Sequence, residues 1–200
     1  MSNTIKGADG RARCQWCAAA PEFLRYHDRE WGFPIRDDRA LFEALSLESF
    51  QSGLSWRTIL AKRDNFRAAF RDFHADRVAR FGTRDIERLL GNAGIVRHRG
   101  KIEAVINNAR RLRELIKREG SFAAYLWRFE PKATRTAAQQ RLSTSVESLA
   151  LSKELKKLGW AFVGPTTMYA FMQAVGLVNG HAAGCVIRKE VERARADSTS

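Results

Sequence analysis

The sequence predicts an all-α protein, and three observations support that fold class. Apolar residues recur at three- and four-residue steps along most of the chain, as the buried face of a helix requires. No segment shows the regular alternation of apolar and polar residues that a half-buried strand would need. With 200 residues and 44% hydrophobic composition, the chain can bury one core. We therefore expect a single domain of two interlocked helical lobes over residues 13–187.

The predicted helices follow one another in a clear order. The first apolar stripes are formed by Leu41, Ala44 and Leu45, by Ile59, Leu60, Phe66 and Phe70, and by Ile86, Leu89 and Leu90. The longest stripe consists of Ile102, Val105, Ile106, Ala109, Leu112 and Ile116. Gly120 ends this long helix. Two further helices are expected over residues 148–158 and 166–175, the second closed by Gly176.

Residues 155–167 have the outline of a helix-hairpin-helix. A short turn bounded by Gly159 and Gly164 separates two predicted helices, and the second helix begins near Thr166 and Thr167. The first turn of that helix would present free backbone N–H groups and the positive end of a helix dipole, which suit a DNA phosphate. An ordinary helical hairpin is the alternative on this segment alone.

The chain carries a large positive charge. It has 35 Lys and Arg residues against 22 Asp and Glu residues, which gives a formal net charge of +13. Each cation placed near a phosphate releases condensed counterions, so a nucleic acid is the expected partner. A generally basic surface without such a partner is the alternative, because charge predicts association and not fold.

Neither a signal peptide nor a membrane span is expected. The most apolar stretch, residues 160–178, is broken by a glycine, a proline, two threonines and a glutamine. We therefore expect a cytoplasmic protein that does not contact a membrane. Residues 1–12 are polar and residues 188–200 are charged, so both segments are expected to be flexible tails.

Cysteine and histidine residues gather in two short windows at opposite ends of the chain. The first window holds Cys14, Cys17 and His27, and the second holds His181 and Cys185. Their spacing is typical of zinc ligands. An odd number of cysteines in a reducing compartment favours thiolate ligands over a disulfide. Five candidates compete for four tetrahedral positions, and spacing alone slightly prefers Cys17 to His27. Chance clustering of buried residues is the alternative.

Aromatic residues cluster around a glutamate in the first third of the chain. The set comprises Trp16, Phe23, Tyr26, Trp31, Glu48 and Trp56. A flat, unstacked base needs aromatic faces and a polar group for its edge. Glu48 ends an apolar helical run, so its carboxylate could point inward, accept hydrogen bonds from an exocyclic amine and favour a cationic base. Taken singly, each tryptophan is better explained as a core residue and Glu48 as a solvated one.

Several motifs, all in one order, resemble a known family. They are Arg13-Cys14-x-Trp16, Tyr26-His27-Asp28-x-Glu30-Trp31-Gly32, Leu47-Glu48, Gln51-x-Gly53-Leu54-Ser55-Trp56, Arg97-His98-Arg99-Gly100-Lys101-Ile102, Phe162-Val163-Gly164-Pro165-Thr166 and Gly176-Leu177-Val178-Asn179-x-His181. Together they resemble bacterial 3-methyladenine DNA glycosylase I over residues 13–185, nearly the whole chain. Two positions depart from the family pattern: Ser49 stands where glycine is usual, and Gly180 stands where aspartate is usual.

This resemblance implies the helix-hairpin-helix glycosylase fold, with one structural Zn²⁺ per chain joining the two ends of the domain. The implied zinc ligands are Cys14, His27, His181 and Cys185, which leaves Cys17 free. The implied base-binding residues are Trp16, Tyr26, Glu48 and Trp56, with Glu48 as the candidate catalytic residue. The expected DNA contacts are Gly164, Thr166 and Thr167 in the hairpin, and Gly53 and Leu54 in a loop that enters the duplex where the base has left.

The expected function is hydrolytic excision of 3-methyladenine from alkylated double-stranded DNA by a monomeric repair enzyme. Residues 163–167 of the hairpin include no lysine that could form a Schiff base, so no lyase activity is expected. One alternative is a glycosylase that acts on a broader range of alkylated bases. The other is a zinc-stabilised DNA-binding protein without catalytic activity, which would not bind free 3-methyladenine.

Overall fold

The computed structural model describes residues 3–132 and 142–197, and most of them lie in helices. The helices are α1 (Pro21–Arg29), α2 (Asp38–Gln51), α3 (Trp56–Ala61), α4 (Arg63–Ala69), α5 (Ala75–Val78), α6 (Thr83–Leu90), α7 (Arg99–Glu119), α8 (Phe122–Leu126), α9 (Val146–Lys157), α10 (Pro165–Ala174) and α11 (Arg188–Asp197). Short 3-10 segments span Gln15–Ala19, Arg71–Phe73 and Trp127–Phe129. The predicted all-α class is confirmed, with one small sheet added to it. None of the described helices is both long and apolar enough to span a membrane.

The helices begin and end where the sequence signals indicate. At the start of α2, the Asp37 side chain accepts a hydrogen bond from the backbone N–H of Ala40 at 2.8 Å, which satisfies one of the unpaired donors of the first turn. Gly120 ends α7 with a φ of 86°, a left-handed conformation that glycine adopts without strain. The helices predicted over residues 148–158 and 166–175 correspond to α9 and α10.

Helix α2 lies at the centre of the core. It packs against both α7 and α10. Its fully buried apolar side chains are Leu41, Phe42, Leu45 and Phe50. The apolar face of α7 that the sequence predicts is also buried, from Ile102 to Leu112. Because close-packed neighbours hold α2 on several sides, the residues near its C-terminal end have fixed positions.

Hydrogen bonds from Lys101 connect the end of α2 to the beginning of α7. Its side chain is almost fully buried, and Nζ donates hydrogen bonds to the carbonyl oxygens of Phe50 at 2.8 Å and Ser52 at 2.5 Å. Burial lowers the pKa of the Lys101 ammonium. The two carbonyls, which a helix C-terminus leaves free, compensate the buried charge. The start of the loop that follows α2 is therefore held by a hydrogen bond from the buried Lys101 side chain.

The N-terminal segment differs from the predicted tail over residues 1–12. Strand β1 (Thr4–Lys6) pairs antiparallel with β2 (Ala12–Cys14), with Thr4 opposite Cys14. Arg13 forms ion pairs with Asp9 at 2.7 Å and with Asp28 at 3.0 Å, which hold this hairpin against α1. Strands of three residues are too short to show a recognisable alternation in a sequence. Residues 1–2 of the predicted tail lie outside the described residues.

The C-terminal segment also differs from the predicted tail over residues 188–200. Helix α11 occupies most of it, and its Val191 side chain is fully buried. Asn179 Nδ2 donates a hydrogen bond to the Arg188 carbonyl at 3.1 Å, which fixes the start of the helix. One buried apolar side chain gives no helical periodicity, so this helix could not be recognised from sequence. Residues 198–200 lie outside the described residues.

Candidate functional site

The four residues predicted to bind a base lie around one cavity. Trp16 comes from the 3-10 segment before α1, Tyr26 from α1, Glu48 from α2 and Trp56 from the first position of α3. The cavity has a volume of about 230 Å³. Its remaining lining residues are Trp31, Gln51, Ala170 and Gln173. The fold thus brings distant parts of the chain into one concave site.

Aromatic rings form the walls of this cavity. The ring centroids of Tyr26 and Trp56 lie 5.4 Å apart, with 40° between the ring planes. Trp16 meets Tyr26 and Trp31 edge-on, at centroid distances of 6.3 and 5.0 Å. Trp56 Nε1 is buried and has no hydrogen-bond partner among the described residues. Aromatic faces together with an unused donor suit a flat ring that carries nitrogen acceptors.

The Glu48 carboxyl is the acidic group of the cavity. Its side chain is only 6% exposed, and burial raises its pKa to about 8. Burial, and then the charge on Glu48, hold the pKa of the Tyr26 hydroxyl well above its usual range. No hydrogen bond from the described residues offsets the burial of the Glu48 carboxyl. A cationic ligand would supply the missing partner and would favour the ionised carboxylate.

Glu48 should make the protein without ligand less stable as the pH rises. Its pKa of about 8 lies above the ordinary value of 4.5, so folding takes up a proton between these two pH values. The stability from this group is fully present below the ordinary pKa and is lost as the pH rises through about 8. In urea denaturation, the free energy of unfolding of Glu48→Gln should exceed that of the unmutated protein by a few kcal/mol above pH 8, and by much less near pH 5.

Glu87→Gln is the matched control for this pH experiment, because Glu87 is an exposed glutamate on α6. Its stability should follow that of the unmutated protein at both pH values. Equal pH dependence of the Glu48 and Glu87 variants would contradict a proton uptake at Glu48.

The metal-ligand cluster lies beside the cavity. Four buried residues, Cys14, His27, His181 and Cys185, place one ligand atom each within 4.8 Å of one another. Cys185 Sγ lies 3.4 Å from His27 Nε2 and 3.5 Å from His181 Nδ1, and Cys14 Sγ lies 3.7 Å from His181 Nδ1. Nitrogen and sulfur ligands of a tetrahedral Zn²⁺ lie about 3.3–3.8 Å apart, as bond lengths of about 2.0–2.3 Å require. The donor set and these three distances therefore fit a zinc ion.

Hydrogen bonds outside the cluster orient both histidines. His27 Nδ1 lies 2.7 Å from the Asp28 carboxylate, and His181 Nε2 lies 3.0 Å from the Trp31 carbonyl oxygen. Each ring therefore donates with one nitrogen and turns the other toward the cluster, an arrangement typical of metal-binding histidines. A hydrogen bond from Cys14, and others from the two histidines, lower the pKa of the Cys185 thiol and favour the thiolate.

Cys17 lies outside this cluster. Its side chain is buried against Ala20 and Phe23, and burial raises the pKa of its thiol. A protonated cysteine in apolar surroundings behaves as a small hydrophobic residue. Among the described residues, the cluster contains His27 and not Cys17. This composition matches the ligand set implied by the resemblance. It differs from the set that spacing alone slightly prefers, in which Cys17 replaces His27.

The predicted hairpin joins α9 and α10. Gly164 is the residue before α10, and Pro165 is the first residue of the helix. A proline has no N–H, so the backbone N–H groups of Thr166 and Thr167 are the donors of the first turn. A Cβ atom placed on Gly164 would meet no other heavy atom within 4 Å. The protein itself therefore leaves space in front of this helix terminus.

Side chains from the neighbouring helices hold the hairpin turn. Asn108 exchanges two hydrogen bonds with the backbone of Ala161, both at 2.9 Å. Ser152 donates to the Val163 carbonyl at 2.7 Å. Ser49 Oγ donates a hydrogen bond to the Phe162 carbonyl oxygen at 3.1 Å. The serine that stands where glycine is usual therefore connects α2 to the hairpin. With its carbonyl groups directed at the protein, the turn is rigid before any ligand binds.

The loop after α2 exposes an apolar side chain next to the cavity. Leu54 is 43% exposed, and its backbone N–H donates to the Gln51 carbonyl at 2.6 Å, which closes a tight turn. Gly53 has a φ of 78° in this turn, where a residue with a side chain would be strained. Because Gln51 and Trp56 on either side line the cavity, Leu54 lies close to its mouth.

Two residues of the site, Gln51 and Gln173, were not predicted to bind a ligand. Trp31 lines the cavity as a member of the aromatic cluster predicted from the sequence, whereas Phe23 of that cluster is not among the lining residues. Gln51 belongs to the motifs, but nothing in its spacing indicates that it lines the cavity. Gln173 lies on the otherwise apolar helix α10. A polar residue within an apolar helix was the one signal that could have identified it.

Comparisons with known proteins show which family the chain resembles. A family model described as "Methyladenine glycosylase" matches residues 16–189. The DNA-3-methyladenine glycosylase 1 of Escherichia coli (strain K12) is 47% identical over 177 residues, which cover 86% of this chain and 95% of the relative. The DNA-3-methyladenine glycosylase of Haemophilus influenzae is 41% identical over 177 residues, which cover 86% and 96%.

Solved structures show the same fold. A crystal structure of a 3-methyladenine DNA glycosylase I superposes with a TM-score of 0.82 at 47% identity, covering 87% of this chain and 98% of the other. The 3-methyladenine DNA glycosylase I of Staphylococcus aureus, solved to establish the structural basis of 3-methyladenine recognition, superposes with a TM-score of 0.80 at 38% identity. That match covers 84% of this chain and 92% of the other.

Proposed function

The chain belongs to the methyladenine glycosylase family, and from that membership we propose that it excises 3-methyladenine from alkylated DNA by hydrolysis. The observation that carries the proposal is the aromatic cavity with the buried, unpaired Glu48 carboxyl. Buried acids without a partner cost stability, and proteins retain them mainly where a ligand uses them. A DNA-binding protein without catalytic activity would have no use for such a group.

The reaction needs little acid catalysis, because adenine alkylated at N3 is a cation and leaves the sugar as a neutral base. The nucleotide is first turned out of the duplex into the cavity. Tyr26 and Trp56 stack on the cationic ring, and the Glu48 carboxylate accepts hydrogen bonds from its edge and offsets its charge. Cleavage of the glycosidic bond leaves an oxocarbenium-like sugar. A water molecule adds to the sugar carbon that carried the base and releases a proton. Because residues 163–167 hold no lysine that could attack the sugar, the DNA strand is not cut.

Two surface elements account for binding to the duplex. The first turn of α10, at Gly164, Thr166 and Thr167, receives a DNA phosphate on its free N–H groups. The turn at Gly53 and Leu54 enters the space that the flipped base leaves, since an exposed apolar side chain beside the cavity has the right position to fill it. The net charge of +13 adds sequence-independent affinity.

One structural Zn²⁺ per chain is also part of the proposal, with Cys14, His27, His181 and Cys185 as its ligands. All four protein ligands are supplied, so no position is left open for catalysis, and the ion would serve to join the two ends of the domain. We further propose that the enzyme acts as a cytoplasmic monomer with one domain, which takes in β1 and α11 as well as the predicted residues 13–187.

Binding of free 3-methyladenine tests the proposed function against the non-catalytic alternative. Titration of the protein with 3-methyladenine should quench tryptophan fluorescence, because Trp16, Trp31 and Trp56 line the cavity. Adenine, which lacks the methyl group at N3, should bind much more weakly. Equal binding of the two bases, or no binding of either, would contradict the proposal.

Gly164→Ala should weaken DNA binding without weakening the fold. Because a Cβ at this position would meet no protein atom within 4 Å, the melting temperature should be unchanged or slightly higher. The added methyl group should hold a phosphate away from the N–H groups of α10 and lower duplex affinity about tenfold, roughly the value of one hydrogen bond to a charged group. Fluorescence anisotropy with duplexes of several sequences measures this loss, which should be the same for each.

Gly82→Ala is the matched control, because Gly82 also precedes a helix and also has no heavy atom near its Cβ position. Its duplex affinity should equal that of the unmutated protein. A loss for Gly164→Ala that depends on base sequence, or duplex binding that is insensitive to salt, would contradict the phosphate contact.

A further inference from the structure

Arg13 lies outside the metal-ligand cluster and holds two carboxylates. Its Nε donates hydrogen bonds to both carboxylate oxygens of Asp28, at 3.0 and 3.1 Å. Its two terminal nitrogens donate to the two carboxylate oxygens of Asp9, at 2.8 and 2.7 Å. The Arg13 side chain is only 6% exposed. A buried guanidinium that directs its donors at two carboxylates has a fixed position.

Asp28 connects Arg13 to one of the proposed metal ligands. The Oδ1 atom of Asp28 accepts a hydrogen bond from Arg13 Nε and also accepts one from His27 Nδ1, at 2.7 Å. The other ring nitrogen, His27 Nε2, faces Cys185 Sγ at 3.4 Å. A continuous line of hydrogen bonds therefore runs from Arg13 to the ring that faces the cluster.

The charges along this line favour metal binding by His27. Arg13 carries one positive charge between two carboxylates, so one negative charge remains beside the His27 ring. A carboxylate that accepts from the outer nitrogen of a histidine makes the inner nitrogen a stronger metal ligand. The Asp28 side chain is 16% exposed, and a largely buried carboxylate without a cation is costly. If the guanidinium were removed, the carboxylate would turn toward water and leave the His27 ring free to rotate.

We propose that Arg13 is a positioning residue of the metal site, which fixes the His27 ring through Asp28 and so strengthens zinc binding. The resemblance implies the four zinc ligands and assigns no role to Arg13. Arg13 is neither a member of the metal-ligand cluster nor a lining residue of the base cavity. The inference rests on the zinc ion of the proposed function and extends that site beyond its ligands.

Arg13→Gln tests the inference through zinc affinity. Competition with a chromophoric chelator should give a zinc dissociation constant raised about tenfold, the lower end of the range for groups that orient a metal ligand. Arg11→Gln is the matched control, because Arg11 lies in the same β-hairpin of β1 and β2 and loses the same charge, but is exposed and pairs with Glu190 of α11. Its zinc dissociation constant should equal that of the unmutated protein.

Asp28→Asn separates the positioning of His27 from general support of the β-hairpin. The amide gives Arg13 no charge to pair with, so in the Asp28→Asn background Arg13→Gln should raise the zinc dissociation constant less than about threefold. Equal losses in the two backgrounds would show that Arg13 acts through Cys14, its neighbour in β2, and would overturn the inference. Unchanged zinc affinity of Arg13→Gln, or the same loss in Arg11→Gln, would also overturn it.

Arg13→Lys carries the test if Arg13→Gln does not fold. The lysine keeps the charge, but one ammonium group cannot replace the separate donors that face Asp9 and Asp28. Its zinc dissociation constant should also be raised about tenfold, and an unchanged value would overturn the inference. An unmutated protein that binds no zinc would overturn the zinc site and this inference together, whereas release of 3-methyladenine from DNA tests the proposed excision separately.

Discussion

Glu48→Gln is expected to lower both the rate of 3-methyladenine excision and the affinity for the free base by about one to two powers of ten. The amide keeps the shape of the side chain but lacks the charge that attracts the cationic base in DNA, and it cannot share a proton with the neutral free base. A charge-assisted hydrogen bond contributes roughly 1.5–3 kcal/mol, and about 1.4 kcal/mol corresponds to a factor of ten. The buried position of Glu48, with 6% of its side chain exposed, places the effect at the upper end of this range.

The same substitution also separates recognition from folding. Zinc content and nonspecific duplex binding should be unchanged, because Glu48 is neither a member of the metal-ligand cluster nor part of the hairpin. Single-turnover excision and titration with 3-methyladenine measure the two losses independently. If Glu48→Gln excised 3-methyladenine at the same rate as the unmutated protein, Glu48 would have no part in the mechanism.

His27→Ala is expected to remove the bound zinc and to lower the melting temperature by at least about 8 °C. Zinc binding free energy becomes folding free energy when the ligands come from distant segments, and here they span residues 14–185. A loss of even 4 kcal/mol corresponds to roughly 8–16 °C for a chain of this length. Removal of the metal from the unmutated protein with a chelator should lower the melting temperature by a similar amount.

Cys17→Ser is the matched variant for this experiment, since Cys17 belongs to the same predicted window but lies outside the cluster. It should retain one zinc per chain. Atomic absorption on both variants decides between the two ligand sets. Retention of zinc by His27→Ala together with its loss from Cys17→Ser would show that the rival set is correct.

Most of the fold could be predicted from the sequence, because long amphipathic helices carry a strong local signal. The apolar stripe of α7 and its end at Gly120 are visible without any structure. The short elements were not visible: β1 and β2 pair over three residues each, and α11 has one buried apolar side chain. Their stability comes from tertiary contacts, which local periodicity does not report.

The site could be predicted only in part. The histidines and cysteines are rare residue types in recognisable windows, so the candidates were evident, but choosing His27 over Cys17 needed the spatial arrangement. Glu48 is one of many glutamates, and its burial among Trp16, Tyr26 and Trp56 depends on how α2 packs. Gln173 lines the cavity from α10. Its place there depends on distances between side chains, which a single sequence does not contain.

Chromatography of the free bases released from methylated duplex DNA measures the proposed activity itself. The zinc-loaded, unmutated protein should release 3-methyladenine without cutting the strand, and Glu48→Gln should release it at least about tenfold more slowly. A zinc-loaded protein that binds this DNA but releases no 3-methyladenine would contradict the proposed function.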